Sequence, residues 1–350
     1  MKKLAFKRRK KTLEDTAPTR ITNETVAEHR ERILAGGRRF KYPMQYARHK
    51  LVINAILITI GALVILVALG WWQLYLAQNT TTFFYRLTRA IPVPVATVEG
   101  RWVSYADYLM YYRGSTHYLQ QNEPQNFQGG GKRLTDYNKR ESLRNAELDT
   151  YVTKLADQLH IKITDEQIDQ DIKDARNTVN GPISQETYDA STQSVLGWSP
   201  DENRQVIRNN LTRVAVAYAI DTTARQQAEK AAGLLAAPDA DFDKIAAQLG
   251  GDGAAKAEAG VSGFVPLANR DDGRSAAAAK LQKGQISGII KTPTADSYYF
   301  VKLIDKTDTQ LNYAYLKIPL TALNSQFAKL KDQHTIQEFI SVPALEAQTK

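Results

Sequence analysis

Hydrophobic and polar positions change their rhythm three times along the chain. From Leu51 to Gly70 the sequence reads LVINAILITIGALVILVALG, 20 residues without a charge. As a helix at about 1.5 Å per residue this run spans about 30 Å, the thickness of a bilayer's hydrocarbon core. A soluble core helix rarely continues that far without a polar face. A cleaved signal sequence would be shorter, nearer the N-terminus, and followed by small residues. Here Trp71, Trp72 and Tyr75 follow instead, as an interfacial aromatic belt would. The expectation is one uncleaved membrane helix over residues 51–76.

After a connector over 77–94, expected to be extended because of Pro92 and Pro94, the rhythm becomes helical. Val95–Val98 suits a short strand and Glu99-Gly100 a turn. Ser104 with Asp107 opens a helix whose apolar face carries Tyr105, Tyr108, Leu109 and Tyr112. Residues 122–136 are polar with three consecutive glycines and read as a loop. Helical spacing returns over 141–159. Thr164 to Gln167 and Ser199 to Glu202 form two capping boxes, each opening a further helix. Residues 95–220 are thus expected to be a mainly helical domain.

From residue 221 the pattern mixes. Helices are expected at 222–237 and 242–249, then a glycine-rich loop at 250–263 and a short helix at 275–281. Residues 286–291, 298–304 and 312–318 have strand composition. Residues 327–339 read as a closing helix. Residues 221–320 would form a smaller α+β domain, and 321–350 a C-terminal helix and tail. The expected fold class is a single-pass anchor joined to an α+β exported region.

Charge sharpens the topology. The net charge is +9, but residues 1–50 hold 15 Lys/Arg against 5 Asp/Glu, while the other 300 hold 31 against 32. The basic character belongs to a tail on one side of the apolar run, so no nucleic-acid partner is expected. Lys/Arg cluster just before the run and are absent after it until Arg86, which predicts a cytoplasmic N-terminus and extracytoplasmic domains at the cell membrane. The lipid bilayer is thus an expected partner. The chain has no Cys, and its five His show no metal-ligand spacing, so no metal and no cofactor is expected.

Two sets of motifs carry a resemblance. VATVEGRWVSYADY, ESLRNAELDTYVTKLADQLHIKITDEQIDQDI and GWSPDENRQVIRNNL resemble, in order, the helical N-terminal domain of the SurA/PrsA/PpiD group of exported chaperones and prolyl isomerases. ADFDKIAAQL, GVSGF, LQKGQISG and SYYFVKL resemble a parvulin prolyl isomerase domain. The resemblance covers about residues 95–305. It implies unfolded or nascent exported polypeptides as clients, with the secretion translocon as a further partner.

The departures from the family pattern bear on activity. Its first-strand His falls near Ala219–Ile220, where no His stands, and its last-strand His falls on Tyr299. The Asp or Cys beside the groove falls near Asp252–Gly253. The Met and Phe that line the proline groove fall on Arg270 and Arg274. The parvulin domain is therefore expected to be degenerate, with Tyr299 and Asp252 as the remaining catalytic candidates. Segment 313–320 resembles the family's opening strand although it follows the last one. It is expected to pair antiparallel with Tyr298–Ile304 in that strand's place. Tyr105, Tyr108, Tyr111, Tyr112 and Phe264 are candidates for gripping clients. The plainer reading makes the α-helical tyrosines core, Tyr298, Tyr299, Tyr313 and Tyr315 sheet residues, and Arg270 and Arg274 solvated charges.

Three functions compete: a membrane-anchored chaperone with a silent parvulin site, an active membrane-bound prolyl isomerase, and a non-catalytic envelope assembly scaffold.

Overall fold

The computed structural model describes residues 22–178, 180–237, 240–249 and 256–343. The chain divides into two units, Met1–Trp71 and Trp72–Lys350. The first contains helix α1 (Asn23–Trp71). The stretch His49–Leu76 is long and apolar enough to cross a membrane. Its side chains from Leu51 to Leu69 are exposed to the surroundings, unlike those of a soluble core helix, and only Leu74 near its end is buried in the body.

The second unit opens on a wide helical turn (Trp72–Leu76) and helix α2 (Thr82–Ala90). This corrects the extended connector. Pro92 and Pro94 lie beyond the helix end, and Thr82–Ala90 contains no breaker. Strands β1 (Pro94–Val98) and β2 (Arg101–Ser104) form a hairpin through Glu99 and Gly100, both at positive φ, as a tight hairpin turn requires. Helix α3 (Tyr105–Asn122) follows, capped by Ser104.

Helix α4 (Pro124–Gln158) replaces the expected loop. Pro124 starts it, and Gly131, at non-helical φ and ψ, breaks it into two helical segments joined across a kink, of which the second carries the buried residues from Asn138 onward. Helix α5 (Asp165–Arg176), the two-residue strands β3 (Asn177–Thr178) and β4 (Gly181–Pro182), α6 (Gln185–Leu196) and α7 (Pro200–Ile220) complete the helical region. The capping boxes at Thr164 and Ser199 are both formed.

The α+β region holds α8 (Thr222–Leu235), α9 (Phe242–Leu249), β5 (Glu258–Pro266), α10 (Arg274–Ala278), β6 (Ser297–Lys306) and β7 (Gln310–Pro319). The sheet order is β5-β7-β6. β7 therefore lies in the middle, antiparallel to β6, with Tyr298 opposite Ile318 and Tyr299 opposite Lys317. The expected pairing of segment 313–318 is present. Residues 286–290 run beside β6 without forming a strand: isolated bridges form at Ile286 and Ile290, and the Ser287 N–H donates to the Val301 carbonyl (2.8 Å).

Alternation along β6 and β7 divides the sheet's two faces. Tyr298, Phe300, Leu316 and Ile318 join the main core with α8 and α9. Val301, Leu303, Leu311 and Tyr313 build a second cluster with Ala278 of α10.

The C-terminal part returns to the helical region. α11 (Ala322–Asp332) packs on α7, and β8 (Ile336–Glu338) pairs antiparallel with β1. The single closing helix over 327–339 is thus corrected. Residues 333–335 turn the chain, with His334 at positive φ, and Ile336 enters the sheet. Asp221, buried at the junction, accepts from the N–H of Ala224 at the start of α8 (2.9 Å). Its other oxygen accepts from Thr321 (2.7 Å) and Ala322 (2.9 Å) at the start of α11. One carboxylate therefore caps two helices.

Candidate functional site

The β6–β7 face that meets α10 gathers the chemistry. Strand alternation puts Tyr299, Tyr313 and Tyr315 on this face. The loop before α10 supplies Asp271 and Asp272, and Arg274 starts the helix. Asp272 and Gly273 both adopt positive φ, which turns the loop back towards the sheet. A side chain at Gly273 would meet Thr292.

Asp271 is buried and fully engaged. It accepts from the hydroxyls of Tyr313 and Ser275 (2.6 Å for Ser275), from the Ser275 N–H (2.8 Å) and from the Asn269 amide (3.0 Å). It is a fixed hub rather than a free base. Burial, and then the hydrogen bond to Asp271, push the Tyr313 hydroxyl well above its ordinary value.

Arg274 lies across the two remaining tyrosines. Its guanidinium carbon is 4.9 Å from the Tyr299 ring centre and 5.0 Å from that of Tyr315. Its Nε donates to the Asp271 carbonyl at 2.8 Å, which fixes the side chain's direction. Such contacts are worth about 0.5–2 kcal/mol each. Gly260, opposite Tyr315 on β5, makes room for the ring. A Cβ there would lie 2.7 Å from the Tyr315 hydroxyl. Tyr299 donates a long bond to Asp272 (3.4 Å). Burial and the Asp272 charge push its hydroxyl up to about 12, so it stays protonated at neutral pH.

A second feature lies between α5, α7 and the α+β region. Two adjoining cavities, each of about 460 Å³, share Asp171, Leu211, Arg270, Pro293 and Thr294 in their walls. One is floored by apolar side chains that include Leu148, Val214, Leu320 and Leu323. The other is polar, with Gln167 and Asp174 facing Asn269 and Asp272. Burial raises the Asp171 carboxyl, and the charge of Arg270 opposes that shift.

Residues 44–217 match the family model described as the SurA-like N-terminal domain, and residues 217–305 match the PPIC-type PPIASE domain. The chain is of the SurA/PrsA/PpiD type, with a parvulin domain. No curated protein and no solved structure matches it.

The parvulin sheet is assembled from an unusual chain order. The strand that resembles the family's opening strand is β7, which follows β6 and sits between β5 and β6. The groove candidates separate accordingly. Tyr299 is buried on the β6–β7 face that meets α10, with Arg274 over it. Arg270 is exposed and lines the cleft instead. Asp252 lies outside the described residues. Sequence reasoning assigns Tyr315 only to the sheet and misses its partnership with Tyr299. The signal available was period-2 spacing on a strand expected to pair with Tyr298–Ile304.

The SurA-like domain corrects most of the client-gripping residues. Tyr105 and Tyr108 are fully buried, and Tyr105 donates to the Leu74 carbonyl (2.6 Å), so both are core. Tyr111 donates to Asp149 (2.5 Å), which also binds Arg213 (2.6 Å) and Asn209 (2.9 Å), tying α3, α4 and α7 together. Tyr112 is half-buried. Phe264, on edge strand β5, is exposed. Among the described residues no group of three or more His, Cys, Asp or Glu could hold a metal.

Proposed function

We propose that this chain is a membrane-anchored extracytoplasmic chaperone. It holds unfolded exported polypeptides in the cleft between its SurA-like and parvulin domains and catalyses no prolyl isomerisation. The observation that carries this reading is Arg274 stacked across Tyr299 and Tyr315. A proline ring needs an apolar surface at this place, and desolvation of the peptide is one way to lower the barrier of about 18–20 kcal/mol. Here an entering ring meets a cation that would have to leave its stack. Asp271 is saturated, and Tyr299 is a protonated donor whose one carboxylate hydrogen bond, to Asp272, is long at 3.4 Å.

The cleft supports the binding half of the proposal. Its apolar floor offers sequence-tolerant burial, while Asn210, Asn324 and Asp171 at its walls can meet the backbone of an extended chain. For the anchor, the support is the apolar length of His49–Leu76, exposed from Leu51 to Leu69, with Lys/Arg concentrated on its N-terminal side. The N-terminus is then cytoplasmic.

The test uses full-length protein in nanodiscs. It should slow aggregation of an unfolded client and leave the isomerisation rate of an X-Pro peptide unchanged. Acceleration of that peptide would overturn the silent-site reading. Loss of acceleration in Tyr299→Phe would then favour an active isomerase that uses the Tyr299–Asp272 contact.

A further inference from the structure

We propose that helix α2 is a second, surface-lying membrane contact. Its outward stripe inserts into the phospholipid headgroup layer beside the anchor. The inference rests on reading the apolar helix as an anchor.

α2 is fixed to the body by one face and bare on the other. Tyr85 and Thr88 are buried, and Phe84 packs against the main core. Tyr85 donates a short hydrogen bond to Glu202, and the Arg113 guanidinium lies 4.4 Å from its ring centre. The helix cannot roll to hide its other side. At 100° per residue that side carries Phe83, Arg86 and Ala90, with Arg89 at its margin. Phe83 is 67% exposed, and Ile91, just past the helix end, is 55% exposed.

Chain length places this stripe near the bilayer. The apolar stretch reaches Leu76, but Leu74 is already buried in the core of the body, so the part free to lie in lipid ends near Trp72, and α2 begins at Thr82. The nine residues between can span at most about 35 Å. An aromatic and an aliphatic side chain, flanked by arginines and with no acidic residue on the helix, match the interface where apolar groups and anionic headgroups meet. The lipid surface is within reach by construction.

The absence of Cys makes the test direct. Full-length Phe83→Cys, and separately Ile91→Cys, would carry an environment-sensitive fluorophore in vesicles of phosphatidylcholine with phosphatidylglycerol. Tyr137→Cys, at an exposed site on α4, is the water-facing control. The expected result is at least threefold less acrylamide quenching at positions 83 and 91 than at 137. Lipids spin-labelled near the headgroup should quench them more strongly. Arg86→Glu in the Phe83→Cys background should weaken that lipid quenching. Equal acrylamide access at 83, 91 and 137, in protein that resists alkaline carbonate extraction, would overturn this inference and leave the anchor standing. Release by carbonate would overturn the anchor and, with it, the inference.

Discussion

Glu147 gives a sharp test of how the SurA-like domain is closed. It lies on α4, fully buried, and neither carboxyl oxygen has a hydrogen-bond partner. Lys331 of α11 approaches to 3.6 Å, an ion pair too long for a hydrogen bond. Burial outweighs that attraction. Glu338 on β8 adds repulsion, Arg140 on α4 opposes it, and the carboxyl is pushed from its ordinary 4.5 up to about 7. At about 1.36 kcal/mol per pH unit, this difference is worth about 3 kcal/mol.

The sign follows from which form the fold prefers. A raised acid favours the protonated folded state, so folding takes up a proton between pH 4.5 and 7. The penalty is absent below that window, grows through it and is complete above pH 7. Glu147→Gln removes the titration. In full-length protein in detergent, urea unfolding should show the variant's advantage over wild type growing by about 2–3 kcal/mol from pH 4.5 to pH 8. A difference between the two proteins that does not change with pH would refute the reasoning. So would one that grows towards acid.

Further predictions address the junction, the packing and the groove. Asp221→Ala strips the caps from α8 and α11 together and should cost about 2–3 kcal/mol, read as a lower urea midpoint. A cost no larger than that of an ordinary exposed cap would contradict the shared role. At Gly114 an added Cβ would meet the Trp198 indole at 2.4 Å, so Gly114→Ala should lose about 1–3 kcal/mol and alter Trp fluorescence. Arg274→Met removes the cation stacked on Tyr299 and Tyr315, which the silent-site reading takes as a plug. It should tighten binding of a fluorescent Pro-rich peptide about fivefold, the worth of about 1 kcal/mol, and unchanged anisotropy titrations would contradict the plug.

Elements with local signals were legible in the sequence. Ser199 and Thr164 announce their helices because a cap is satisfied within four residues. The two arginines at groove positions stand out by type, since a charge replaces an apolar residue. What stayed hidden depends on partners far along the chain. Nothing near Tyr105 and Tyr108 distinguishes a client-gripping face from a core face, because both need the same spacing. Burial is decided by α4 and by β1 and β2, which pack on that face. Arg274 is legible as an oddity, but its stack needs Tyr315 from a strand that follows it by forty residues. The kinked α4 misleads for the opposite reason. Its glycines are a strong local signal that is right at Gly131, where the helical path breaks, and wrong on either side of it, where the chain is helical.

The return of β8 to β1 makes the helical domain depend on residues made long after it. Gln78 binds the Ser341 carbonyl (2.7 Å) across 263 residues of sequence. Arg140 grips the Val342 carbonyl and the Glu338 carboxylate, and Ile340 and Val342 complete the core. As the chain emerges from its N-terminal side, its helical body stays an unfinished sheet with an open β1 edge until residue 342 has passed. On the chaperone reading proposed above, the protein passes through a stage in which it needs the protection it later gives. A copy cut short before β8 would carry its own mark of incompleteness: a bare apolar strand edge that proteases or other chaperones can read.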